Sequence, residues 1–203
     1  MDTPATTGGD SPATAPRRSR VRTLAVMAIT AVAIVAVTFF VNQPKTSAGD
    51  IANVSLSGAA TGAAPTVGEP APDFQATTVD GRTVRLSDFK GKPVWLTFGA
   101  SWCQPCRAEN PDIKAVYEKA KASGLEVLAV FISEDAAAVR DYADRVGLAY
   151  DKVADPDTTI ASQYRILGIP SHFFIDGTGV LRQMKIGSLD QAAMEQALEG
   201  IRP

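Results

Sequence analysis

The chain carries two cysteines, Cys103 and Cys106, separated by Gln104 and Pro105, and a single histidine, His172. A scaffold stapled by disulfides spreads several cysteines along its length. A bridge across two intervening residues constrains the unfolded chain very little. The pair is therefore read as chemical rather than structural, and two chemistries compete for it. A closed zinc site takes four ligands, drawn mainly from Cys and His. Two cysteines and one histidine cannot supply them, and an iron–sulfur cluster fails by the same count. Thiol–disulfide exchange needs only the pair: one thiolate attacks a disulfide sulfur, and its neighbour resolves the mixed disulfide. No metal and no cofactor is expected.

The stretch Phe98 to Pro111 reads FGASWCQPCRAENP. Ahead of it, Pro93 to Phe98 (PVWLTF) is an apolar, β-rich run of the kind that forms a buried central strand. Behind it, Ile113, Val116, Tyr117 and Ala120 recur at i, i+3, i+4 and i+7, so a helix should begin near Cys103. A thiolate at that point meets unpaired N–H groups and the positive end of the helix dipole. Both lower its pKa and populate the nucleophilic form.

Further elements must hold this strand and helix in place. Thr83 to Leu86 follows the Asp80-Gly81 turn as a short strand, and Leu125 to Ile132 is a second apolar strand. Val139, Tyr142, Ala143 and Val146 mark a helix stopped by Gly147. Asp155-Pro156 reads as a cap and first helical residue of a short helix running to about Leu167. Ser171 to Ile175 and Val180 to Ile186 flank Asp176–Gly179 as a hairpin. Ser188 and Gln191 suggest a capping box for a last helix, with Met194, Ala197, Leu198 and Ile201 on its apolar face. Mixed β and α order predicts an α/β fold with a central sheet and helices on both faces.

The amino-terminal third differs in kind. Residues 1–22 read as a disordered tail, rich in Thr, Pro, Ala, Gly and Ser and ending in Arg17, Arg18, Arg20 and Arg22. Residues 23–41 carry no charge, and their length is close to that needed to cross a hydrocarbon core of about 30 Å. The preceding arginines place the tail in the cytoplasm and everything after Val41 outside. The alternative is a cleaved signal peptide, whose apolar region is usually about 7–15 residues, with the protein then secreted. Residues 42–67 read as a flexible linker and residues 68–203 as the folded domain. The formal net charge of −2 gives no electrostatic case for a nucleic-acid partner.

From Gly68 onward the chain resembles the thioredoxin-like reductases of the TlpA, ResA and CcmG type. The resemblance rests on Gly68-Glu69-Pro70-Ala71-Pro72-Asp73-Phe74, Leu86-Ser87-Asp88-Phe89-Lys90-Gly91-Lys92, Trp102-Cys103-Gln104-Pro105-Cys106 and Gly168-Ile169-Pro170. It implies a thioredoxin-like fold with an amino-terminal β-extension, behind one transmembrane helix. It implies Cys103 as an exposed nucleophile and Cys106 as the buried resolving thiol. A cis peptide is implied before Pro170, facing the cysteines, with Trp102, Ile169 and Pro170 binding substrate. Glu109 matches the acid these reductases keep just after the second cysteine, which would accept the proton of Cys106. The implied partners are a membrane electron donor of the CcdA/DsbD type and disulfide-bearing exported proteins such as apocytochrome c.

Three positions depart from related patterns. Thioredoxin proper has a buried aspartate where this chain has Thr97; the family usually has a tryptophan where it has Gly99; and His172 stands two residues after Pro170. Three other functions compete with that of a reductant. One is an oxidant that introduces disulfides. A peroxiredoxin would need a threonine or serine three residues before its reactive cysteine, where Ala100 stands. A Sco-type copper factor would use Cys103, Cys106 and His172 as ligands, but it spaces its cysteines by three residues.

Overall fold

A computed structural model describes residues 24–35 and 50–202. The chain divides into two units, Met1–Thr46 and Ser47–Pro203. In the first, residues 24–35 form helix α1. Among the described residues no helix is long and apolar enough to cross a membrane. The expected span over residues 23–41 is thus not established; its ends, like the tail over residues 1–22, lie outside the described residues.

The second unit is built on a five-stranded sheet in the order β6-β5-β4-β8-β9. Strands β4 (Val94–Gly99), β5 (Glu126–Ile132) and β6 (Asp151–Asp155) run parallel. β8 (Ser171–Ile175) is antiparallel to β4, and β9 (Leu181–Ile186) antiparallel to β8. Side chains of successive strand residues point to opposite faces, and here both faces are apolar. Leu96, Phe98, Leu128, Val130 and Phe173 enter one core. Trp95, Val127, Ala129, Phe131 and Phe174 enter the other. The second core is closed by α2 (Gln104–Ala120), α3 (Ala136–Val146) and α5 (Gln191–Glu199) through Ile113, Val116, Val139, Tyr142, Met194 and Ala197. The first is closed by α4 (Thr159–Gln163) through Ile160 and Ala161, and by Phe74 and Val84 of an amino-terminal β-extension. This is the thioredoxin-like α/β arrangement, with a mixed sheet and helices on both faces. The sheet delivers the carboxyl end of its central strand β4, and with it the start of α2, to one end of the sheet, where the cysteines lie.

Several local expectations are corrected. The extension is a hairpin of β2 (Gln75–Thr77) and β3 (Thr83–Arg85), of which only the second strand is legible in the pattern. Asp155 does not cap with Pro156 as the first helical residue. α4 begins four residues later, and the Asp155 carboxylate reaches forward to accept the N–H groups of Ile160 and Ala161 at 3.2 and 2.9 Å. The helix ends at Gln163, short of Leu167. Ser188 and Gln191 form no capping box; Asp190 caps α5 by accepting the Ala193 N–H at 2.8 Å.

The expected flexible linker is also corrected over its described part. Residues 50–58 belong to the folded unit: β1 (Ala52–Asn53) pairs antiparallel with β7 (Gly168–Ile169). Ala52, Val54 and Leu56 lie against the core that holds the cysteines. The N–H groups of Ser57 and Gly58 donate to the Thr158 hydroxyl at 2.8 and 3.1 Å. The reason is visible in hindsight, since apolar residues at 52, 54 and 56 have the period of a strand.

Candidate active site

Cys103 and Cys106 form a disulfide with a Cα–Cα distance of 5.3 Å. Cys103 is the N-cap of α2, and its Sγ accepts the Cys106 N–H at 3.2 Å. Gln104 and Pro105 occupy the first turn, where a helix needs no proline N–H. The loop before them is tied down by Glu134, whose carboxylate accepts the Ser101 N–H at 2.7 Å and the Ser101 hydroxyl. These bonds present Trp102 at the surface, 49% exposed.

The expectation of an exposed Cys103 beside a buried Cys106 is not met in this disulfide form. Cys103 is 1% exposed and Cys106 5%. In it the Cys103 sulfur lies 3.9 Å from the carbonyl oxygen of Ile169. The Ile169–Pro170 peptide is cis, and both residues are buried. Trp102 precedes Cys103 in the chain, Ile169 is brought to it across the fold, and of Trp102, Ile169 and Pro170 only Trp102 is exposed to solvent.

Glu109 lies on the second turn of α2 and is buried. A cavity of about 20 Å³ is lined by Cys106, Glu109, Gly99 and Thr97, among others. That is room for a single water bridging thiol and carboxylate. Gly99 bears on this directly, because a Cβ there would rest 3.5 Å from the Cys106 Sγ. Tyr150 also lines the cavity, and its phenol is pushed well above its ordinary range by burial first and by the charge of Glu109 second.

His172 is the residue whose place the sequence left open. It is fully buried and pairs across the sheet with Thr97. The Trp95 indole N–H donates to His172 Nδ1 at 3.3 Å, and Thr97 Oγ1 lies 3.1 Å from the same nitrogen. An indole only donates, so Nδ1 must accept, and the ring proton sits on Nε2. Nε2 is 3.3 Å from Glu109 Oε2, without an aligned hydrogen bond. Glu109 Oε2 also accepts the Leu189 N–H at 3.1 Å. The acid is thus held from α2, from β8 and from the loop before α5. Both nitrogens of His172 thus face protein groups, Nδ1 toward Trp95 and Thr97 and Nε2 toward Glu109. No hydroxyl stands at Ala100 to orient a peroxide.

Comparison with known proteins agrees with this geometry. Residues 67–184 match the model of the AhpC/TSA family. The thiol-disulfide oxidoreductase ResA of Geobacillus kaustophilus is 37% identical over 137 residues, covering 68% of this chain and 79% of that protein. ResA of Bacillus anthracis is 33% identical over the same shares. Among solved structures, a candidate thiol:disulfide interchange protein DsbE from Chlorobium tepidum superposes with a TM-score of 0.65 at 31% identity, covering 69% of this chain and all of that one. A dithiol pair at a helix start, a buried acid beside its second sulfur and relatives of this kind lead to one assignment: the chain belongs to the AhpC/TSA family and is a thiol–disulfide oxidoreductase of the ResA/DsbE type.

Proposed function

We propose that this oxidoreductase works as a reductant outside the cytoplasm, delivering two electrons from its dithiol to disulfides in exported proteins such as apocytochrome c. The observation that supports this reading best is the cavity between Cys106 and the buried Glu109. The reduced pair must lose one proton from the resolving thiol, and a carboxylate one water away can take it. In the forward direction the Cys103 thiolate attacks one substrate sulfur, a mixed disulfide forms, and the other substrate sulfur leaves as thiolate. Cys106 then gives its proton toward Glu109 and attacks Cys103 Sγ. The Cys103–Cys106 disulfide forms, and the second substrate sulfur leaves. A membrane electron donor of the CcdA/DsbD type returns the two electrons. Trp102 and the backbone of Ile169 and Pro170 border the attacking sulfur and would hold the substrate. Residues 23–41 would anchor the chain, with the tail over residues 1–22 in the cytoplasm.

The test is a trap. With Cys106→Ser in intact cells, the mixed disulfide on Cys103 cannot be resolved and accumulates, whereas Cys103→Ser leaves no adduct. Adducts with exported proteins that sediment with membranes are the expected result. Trapping by Cys103→Ser alone overturns the assignment of roles. Adducts confined to cytoplasmic proteins, or to the soluble fraction, overturn the placement.

A further inference from the structure

The Ile169 carbonyl that faces Cys103 Sγ at 3.9 Å is already in use. β1 lies along it, with Ala52 opposite Ile169 and Asn53 opposite Gly168. The Val54 N–H donates to Leu167 O at 3.2 Å. In an antiparallel ladder hydrogen-bonded pairs recur at every second residue, so Ala52 and Ile169 exchange both of their backbone bonds. The edge next to the reactive sulfur is therefore closed by the chain's own strand. Cys103 is 1% exposed beside it, although its chemistry requires an incoming sulfur.

This strand is held unequally along its length. Toward the carboxyl side, Ser57 and Gly58 are clamped on Thr158, and Gly58 is so close that an added Cβ would meet Thr158 O at 2.7 Å. Toward the amino side, Asp50 O accepts only long bonds from the Ser188 N–H and hydroxyl, each 3.4 Å. Ile51 is exposed. The ladder itself spans two residues per strand, far below the length of an independently stable hairpin. The weaker hold is thus at the Asp50 end and the stronger at Ser57 and Gly58.

We propose that residues 51–54 are an internal occupant of the substrate edge, which an incoming polypeptide must displace by strand exchange before its disulfide reaches Cys103. The inference rests on the function proposed above. The partner that fits is an extended polypeptide segment. It donates and accepts at the position of Ala52, carries apolar side chains at alternate positions as Ala52 and Val54 do, and has no proline opposite Ile169. A disulfide without an extended segment free to pair beside it is excluded, so the occupant selects polypeptides that can offer one.

The experiment uses the full chain, reduced, with insulin as polypeptide disulfide and 5,5′-dithiobis(2-nitrobenzoate) as small disulfide. Val54→Pro removes the donor to Leu167, and Gly58→Val expels the clamp on Thr158; neither touches the cysteines. An edge that is free for a larger fraction of the time binds in proportion. Both variants should lower the KM for insulin by about tenfold, and iodoacetamide should alkylate Cys103 faster. A synthetic peptide spanning residues 50–58 should compete with insulin for Val54→Pro and raise its KM again. An insulin KM that is unchanged or higher in both variants, while the small disulfide is still reduced, overturns the proposal. A wild-type chain that reduces neither disulfide overturns the function itself and is distinguishable on that ground.

Discussion

At the scale of single residues, Glu109 and His172 form a buried pair, 3.3 Å apart. Glu109 lines the cavity that Cys106 also lines, and His172 meets the Glu109 carboxylate through Nε2 while accepting from Trp95 through Nδ1. Glu109→Gln keeps the shape, and its amide oxygen can still accept the Leu189 N–H. It should fold normally, yet slow the reduction of a reference disulfide by about 10²-fold, the usual share of one proton acceptor. His172→Leu should behave differently. It strands the Trp95 N–H and the Thr97 hydroxyl and strips a neighbour from a buried carboxylate, at a cost of about 3 kcal/mol in denaturant midpoints. If Glu109→Gln exchanges at the wild-type rate in stopped-flow, the acid serves the fold and not the proton. Cys103 and Cys106 were legible because their spacing and the strand–helix pattern around them are local, and Glu109 was picked out by the family resemblance. His172 was not, because its partners lie 63, 75 and 77 positions away, on Glu109, Thr97 and Trp95, and no local pattern encodes a contact across a sheet.

At the scale of elements, the β8–β9 hairpin is closed by one carboxylate. Asp176 accepts from the Thr178 hydroxyl and N–H at 2.6 and 2.9 Å, from the Val180 N–H at 3.0 Å and from Arg182 Nε at 2.6 Å. Burial disfavours its charge, but the bonds from Thr178, Val180 and Arg182 outweigh that and hold its pKa down at about 2. A carboxyl depressed in the folded state stabilises it above the unfolded value near 4 and loses that contribution as pH falls through the folded value. The gap corresponds to about 2 kcal/mol at neutral pH. Asp176→Asn should therefore melt about 4–8 °C lower at pH 7, with the difference closing as pH falls from about 4 to about 2. A difference that persists undiminished at pH 2 would mean that the aspartate acts by shape alone. Asp176 also shows what the sequence could say about elements. The hairpin was visible from two apolar runs around Asp176–Gly179, because turn and strand signals are local. The starts of α4 and α5 were misplaced, because several polar residues stand near each start: Asp155 accepts the first N–H groups of α4 from four residues ahead of the helix, and Asp190 rather than Ser188 caps α5.

At the scale of the whole molecule, the question is where the redox domain begins. The motif resemblance starts at Gly68, but the described structure of the second unit already starts at Asp50. Between them, Ala52, Val54 and Leu56 half-bury apolar surface against the core of the cysteines, and Ser57, Gly58 and Val54 donate backbone bonds to the later chain. The alternation that encodes this is only three apolar residues long, within a stretch otherwise rich in Ala, Gly, Ser and Thr, so composition hides it. The consequence can be measured by comparing residues 47–203 with residues 68–203. The longer piece keeps every described contact of its unit and should melt as the full chain does. The shorter one loses roughly 2–3 kcal/mol of partial burial and hydrogen bonding, a fall of about 5–10 °C in melting temperature. It also bares the backbone of Gly168 and Ile169, and an unpaired edge recruits other strands. The shorter piece should therefore self-associate at concentrations where the longer one stays monomeric in sedimentation. Equal melting temperatures and equal sedimentation for the two pieces would show that residues 50–58 lie on the domain without supporting it.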